Sequence, residues 1–363
     1  MSELKSISPA LDLQNILDDI VNNVEIRPDF SIVHPSYKPL EIAEEAKESF
    51  LNLLPATVQQ KYLSMQLRGF LYGIYYNGSL RQALALDAEN NELPKDLENN
   101  TILGIDIAFY EQLHENNQGL GYFDPGWQVL REESDGAIAV TKGGLRLHIE
   151  REKHLLDSQK NVKIGDTVVI KLPKNRVQNG FYMAVGNEGF SRAERTDTTN
   201  TTVRIYWNFT PDGALVVMKE LTEQLNSNQI PFSFKVLYNP KEYQRDDAGV
   251  LYFDKQDYSQ IKPIIMSLYE VNQGDFKQEI PLFTLLLAEG LGLAEEPNHR
   301  FSEQESFGTH RCQIIANALL HCWYEGDNSP PTRMKEIASQ FEALGIDLNR
   351  VYLNANSEDI YQL

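Results

Sequence analysis

Residues 231–253 read PFSFKVLYNPKEYQRDDAGVLYF. From Phe232 to Tyr238 the residues alternate. Phe232, Phe234, Val236 and Tyr238 fall on one face, and Ser233, Lys235 and Leu237 on the other. A period of two is the pattern of a half-buried strand. Asn239-Pro240 breaks the run, and a polar connection carries Arg245, Asp246 and Asp247. Val250-Leu251-Tyr252-Phe253 then forms a second apolar run. Two strands joined in this way bring Lys235, Arg245 and Tyr252 near one another. Lysine is rarely buried unless it has a partner or a task. A snorkelling surface lysine is the alternative, and this stretch alone leaves both open.

Outward from this unit, β-type runs are predicted at 137–141, 145–149, 167–172, 180–185 and 202–209. Turns such as Lys142-Gly143-Gly144 and Asn187-Glu188-Gly189 separate them. Helical periodicity predicts helices from Ser8-Pro9 through Val21, over 40–53, and from Pro55 to an Asn77-Gly78 stop. Further helical or mixed segments are expected at 101–114, 211–225, 255–269, 306–324 and 331–344. Strands interspersed with helices, without regular βαβ alternation, predict an α+β fold. It comprises a helical N-terminal region over 1–118 and an α+β domain over 119–363, whose mixed, mainly antiparallel sheet is flanked by helices.

The net charge of −19 argues against a nucleic-acid binder, because phosphate backbones require basic surfaces. Any phosphate site must then be a local concentration of Arg and Lys. The two cysteines, Cys312 and Cys322, suit neither a zinc site nor a disulfide framework. With no secretion signal and no apolar run long enough to span a membrane, a cytoplasmic protein is expected. Phosphate-loop, Gly-x-Ser-x-Gly and His-Glu-x-x-His motifs are absent, and the seven histidines are scattered. No metal and no cofactor are expected.

Three other stretches place polar groups together. In Leu145-Arg146-Leu147-His148-Ile149 the arginine and histidine share a strand face. Arg204, Tyr206 and Asn208 alternate with Val203, Ile205 and Trp207. If these runs neighbour Lys235 in one sheet, they form a basic floor. Ser306-Phe307-Gly308-Thr309-His310-Arg311 opens a helix, whose N-terminus suits an anion. The polar segment after Gly186 holds Arg192 and Arg195, and is either a flap over a substrate or a solvated loop.

The Phe-Lys-Val run, a downstream arginine and a Leu-Tyr strand resemble the phosphothreonine lyases of pathogenic bacteria. Over roughly 121–324 the chain is more closely similar to the HopA-type effector family, a branch of which resembles the lyase component of class V lanthipeptide synthetases. The resemblance implies a metal-free phosphoserine/phosphothreonine lyase that leaves a dehydroamino acid in a peptide. Lys235 is then the base that removes the Cα proton, and His148 the general acid. Arg146, Arg204, Arg245 and Arg311 hold the phosphate, with Arg300 a further candidate, and Tyr252 orients it. Tyr206, Asn208, Arg192 and Arg195 are substrate contacts. The family pattern prefers lysine where Arg146 stands, although a guanidinium fork also suits phosphate. Burial and neighbouring arginines would favour the neutral lysine such a base requires. The implied partners are a phosphorylated precursor peptide and a separate peptide kinase. The alternative is a non-catalytic module that binds a phosphopeptide or protein.

Overall fold

In a computed structural model, which describes residues 9–42, 53–88, 104–190, 201–303 and 305–361, the Lys235 run lies inside a seven-stranded antiparallel sheet. The chain reaches it late. Helix α1 (Pro9–Asn23) precedes a small antiparallel sheet of β1 (Glu25–Ile26), β2 (Ile32–His34) and β3 (Tyr37–Leu40). The helix predicted over 40–53 falls largely outside the described residues, and Leu40 itself closes β3. Helix α2 (Ala56–Leu71) widens at its end into a π turn, Tyr72–Tyr76. Helix α3 (Ile107–Asn116) follows, capped by the Asp106 carboxylate on the Phe109 N–H.

Four strands then form a sheet of their own: β4 (Tyr122–Glu132), β5 (Ile138–Lys142), β6 (Leu145–Ile149) and β7 (Thr167–Leu172). Their order is β6-β5-β4-β7. The rest of the chain supplies β8 (Asn175–Gln178), β9 (Phe181–Val185), β10 (Thr202–Trp207), helix α4 (Pro211–Ser227), β11 (Ser233–Leu237), β12 (Gly249–Asp254) and helix α5 (Tyr258–Val271). It ends with β13 (Leu285–Ala288), β14 (Leu291–Glu295), helix α6 (Phe307–Glu325) and helix α7 (Pro330–Ala343). The large sheet has the order β13-β14-β10-β12-β11-β9-β8. The α+β expectation is met, with every described strand pair antiparallel.

Alternation decides what each face of the large sheet meets. Val203, Ile205, Trp207, Phe234, Val236, Leu251 and Phe253 are fully buried. Trp207 packs on Phe234 and on Phe276, and Ile205 lines one cavity together with Tyr258 and Ile265 of α5. The opposite face, carrying Arg204, Tyr206 and Lys235, is covered by the π turn and α6. The Tyr206 ring lies 6.3 Å from Tyr76 and 6.4 Å from Phe307. Gly308 permits this approach, since a Cβ there would stand 2.3 Å from the Tyr76 ring. The N-terminal helices belong to the same apolar core as the large sheet, through Leu17, Ile20, Leu63, Phe70 and Leu113. The four-stranded sheet has a separate core of Trp127, Val129, Ile138, Val140, Val168 and Ile170.

Candidate functional site

Register places the polar groups of the large sheet. Lys235 stands opposite Val250 across β11 and β12, and Val250 stands opposite Tyr206 across β12 and β10. Tyr252 faces Ser233 on one side and Arg204 on the other. Side chains in such directly paired rows point to one face. Lys235, Tyr206, Tyr252 and Arg204 therefore line a single cavity of about 360 Å³. The β11–β12 connection adds Arg245 and Asp247, the π turn adds Tyr72 and Tyr76, and the segment before α6 adds Glu296, Arg300 and Glu305. Ser306 and Thr309 close it at the N-terminus of α6. The Ser306 hydroxyl caps that helix, accepting from the Thr309 N–H at 3.3 Å. The positive end of the helix dipole thus points toward the cavity.

Four cations, Arg204, Lys235, Arg245 and Arg300, share this wall with the carboxylates of Asp247, Glu296 and Glu305. The arginines are pinned. Arg245, with a side chain only 3% exposed, grips Asp247 with both ends of its fork, Nε at 2.5 Å and Nη2 at 2.9 Å. Burial alone would raise the Asp247 carboxyl, but the Arg245 charge overrides it and holds that group below the usual carboxylate range. Glu296 accepts from Arg204 Nε and, at 2.7 Å, from Arg300 Nη2. Lys235 is different. Its ammonium sits 4.4 Å from the Phe181 ring centroid and 5.6 Å from that of Tyr252, and among the described residues no carboxylate forms an ion pair with it. Burial raises the Tyr206 and Tyr76 hydroxyls above the ordinary tyrosine range. Both therefore remain proton donors at neutral pH.

The structure brings Lys235, Arg204, Arg245, Tyr252, Tyr206 and Arg300 together, and separates the other candidates from them. The condition under which Arg146 and His148 would join Lys235 in one basic floor is not met, which corrects their placement at the site: among the described residues β6 pairs only with β5, at the edge of the four-stranded sheet. Neither residue lines the cavity. His148 is 62% exposed, with Nδ1 3.2 Å from Glu133. Arg311 also lies elsewhere. It is wholly buried inside α6, donating to the Val351 and Leu353 carbonyls at 2.9 Å each and to His310 Nδ1 at 2.7 Å. Asn208 is buried as well and donates to the Glu279 carbonyl at 3.0 Å. Arg192 and Arg195 fall outside the described residues.

Several lining residues had no distinctive signal in the sequence. Glu296 and Glu305 sit in a polar stretch, Phe181 in the 180–185 strand run, and Gln178 just before that run. Tyr72 and Tyr76 read as helix core. The Asn77 N–H bonds to the Tyr72 carbonyl at 3.0 Å, five residues back, which is the wide turn that re-aims side chains at many functional sites. Among the described residues no cluster of three or more metal-ligating side chains occurs, and no helix is long and apolar enough to cross a membrane.

The sequence model of the HopA1 effector protein family matches residues 172–353. Gln178, Phe181 and every later cavity residue fall inside that span. Among solved structures, the chain is similar to an effector protein from Pseudomonas syringae pv. tomato strain DC3000, at 17% identity and a TM-score of 0.44. That match covers 86% of this chain and 98% of the other. An effector protein from Pseudomonas syringae pv. syringae strain 61 is similar at 15% identity and a TM-score of 0.44, covering 87% and 99%. No curated protein sequence matches.

Proposed function

The chain belongs to the HopA1 effector protein family, and we propose that its cavity eliminates phosphate from a phosphorylated serine or threonine of a peptide. The observation that carries this reading is Lys235. It alone among the cavity cations has no carboxylate bonded to it among the described residues, and it stands between two aromatic rings at the middle of the sheet. In the reaction, neutral Lys235 Nζ takes the Cα proton. The C–H electron pair becomes the Cα=Cβ bond, the Cβ–O bond breaks, and phosphate leaves with that bond's pair. Arg204, Arg300 and the N-terminus of α6 lie where negative charge accumulates, and preorganised positive charge at such a point is commonly the largest catalytic contribution. Because His148 is outside the cavity, the Tyr206 and Tyr76 hydroxyls are the donors available to the leaving oxygen. Phosphorylated peptide, made by a separate kinase, is the substrate this requires, and a cytoplasmic setting suits it.

A second reading rests on the pinned arginines. Carboxylates already neutralise Arg204, Arg245 and Arg300, which suits a module that binds an anionic segment without transforming it. Mass spectrometry of a phosphothreonine peptide incubated with the protein separates the two. Loss of phosphoric acid supports elimination, and Lys235→Met should stop it while phosphopeptide still binds. An unchanged peptide mass leaves binding alone, and loss of only the phosphoryl group would indicate hydrolysis. Elimination that persists in Lys235→Met would place the base elsewhere.

A further inference from the structure

A second cavity, of about 450 Å³, lies beside the first and is lined by Ile105, Ile107, Tyr110, Gln178, Asn179, Phe181 and Tyr238. Gln178 and Phe181 line both, so the two spaces meet at one wall. Their chemistry is opposite. The Tyr238 hydroxyl is occupied by the Gly180 N–H at 2.9 Å, and that of Tyr110 by Asn175 Nδ2 at 3.0 Å. Those rings therefore offer their apolar faces. At the rim Ile105 and Ile107 are 53% and 70% exposed. They carry the apolar lining of the cavity out to its edge. The shared wall carries one unmet demand: the Gln178 amide oxygen is buried and has no hydrogen-bond partner among the described residues. A buried acceptor without a donor is costly and calls for a missing partner.

We infer that the apolar cavity is a specificity subsite for a large aliphatic or aromatic side chain two residues from the phosphorylated one, on the same peptide. This rests on the reading of the polar cavity as a phosphopeptide site. In an extended peptide, side chains two apart point the same way and lie about 7 Å from each other. Phe181 is the wall that a phosphorylated residue over Lys235 and an apolar residue against Tyr110 and Tyr238 would share. The peptide N–H between them then supplies the donor that Gln178 lacks.

The test uses fluorescein-labelled phosphothreonine peptides carrying Leu, Phe, Ala or Asp two residues before or after the phosphothreonine. Anisotropy measures binding and mass spectrometry measures elimination. On one side of the phosphothreonine, Leu and Phe peptides should bind about ten-fold or more tighter than Ala, the usual scale for filling an apolar pocket. Ile107→Glu should bring that ratio close to one, and Ile107→Leu should preserve it. Gln178→Leu should weaken Leu and Ala peptides alike, leaving the ratio in place. Equal binding of Leu, Ala and Asp peptides at both positions overturns the subsite, even if all are eliminated. A preference for Leu without any elimination supports the subsite and sinks the lyase reading. A preference that survives Ile107→Glu would place the apolar contact elsewhere and overturn the inference.

Discussion

Arg311→Met separates two roles that sequence alone confuses, a phosphate ligand and a structural clamp. The side chain is fully buried in α6 and donates to the carbonyls of Val351 and Leu353. Those residues belong to the last segment of the described chain, which also pairs with β14 through the Glu295 N–H to the Tyr352 carbonyl at 2.8 Å. Methionine fills the stem's volume but supplies no donor, so two buried carbonyls lose their partners. Each costs about 1–3 kcal/mol, or about 2–6 kcal/mol together. One effect opposes this. Burial pushes the Arg311 guanidinium down to about 10, so its removal also relieves an unfavourably buried charge. The expected net loss is in the lower part of the range, about 2–3 kcal/mol.

Urea unfolding followed by near-ultraviolet circular dichroism measures this directly. The midpoint should fall with little change in slope, because the surface exposed on unfolding is nearly the same. Folded variant should bind a labelled phosphothreonine peptide as the parent does. Parent-like stability with binding weakened about ten-fold or more, the scale of a lost charge-assisted contact, would refute the clamp and return Arg311 to the anion.

Arg245→Met should also act on stability, since it leaves the buried Asp247 carboxylate without its fork; about 3–5 kcal/mol is the usual cost of removing one partner, read as a lower urea midpoint. His148→Ala should change stability by less than about 0.5 kcal/mol, as exposed substitutions do, and leave phosphopeptide elimination at the parent rate; a large rate loss would put His148 back in the chemistry. Asp246 predicts a pH effect. Burial raises its carboxyl from 3.8 to about 7, so between those values the folded chain holds a proton that the unfolded chain has released. Its contribution to stability therefore falls as pH rises through that window and levels off above about 7. Relative to the parent, Asp246→Asn should gain stability from pH 4 to pH 7, whereas a difference that stays constant with pH would contradict this.

How much of the site was legible follows from which forces are local. Lys235, Arg204 and Tyr206 were placed on polar faces by alternation, and a period of two is fixed by backbone geometry wherever a strand forms. The pairing of the Lys235 strand with the Tyr252 strand was legible because a short connection joins them. Pairing between distant strands was not. Leu145–Ile149 alternates as clearly as Thr202–Trp207, yet its partner is β5 rather than β10 or β12, a choice made by tertiary packing. Arg311 carries a usable sign of its own. Helix α6 has almost no charge along its length, and from Phe307 to Ala316 every residue is buried. A helix that is apolar all round lies in the core, so an arginine in it must satisfy itself inside the protein. Glu296 had no such sign, because its partner Arg204 is ninety-two residues away.

On the proposed elimination, the arrangement of carboxylates favours Lys235 over the arginines as the base. An acidic chain has built its cationic cavity from ion pairs, so Arg204, Arg245 and Arg300 are fixed in place before any ligand arrives. Fixed donors have already lost their rotamer freedom, which lowers the ordering cost of gripping a phosphate. The same carboxylates cancel part of each charge, and a guanidinium cannot be deprotonated in a protein. These groups can position and stabilise, but they cannot take a proton. Lys235 is held by ring faces rather than by a bonded carboxylate, so among the described residues it is the cavity cation not committed to an ion pair. Adding an acid beside it reverses that property. A Val250→Asp substitution, directly opposite Lys235 in register, would pair the ammonium and hold its proton in place, so elimination should stop even though every arginine of the cavity is intact.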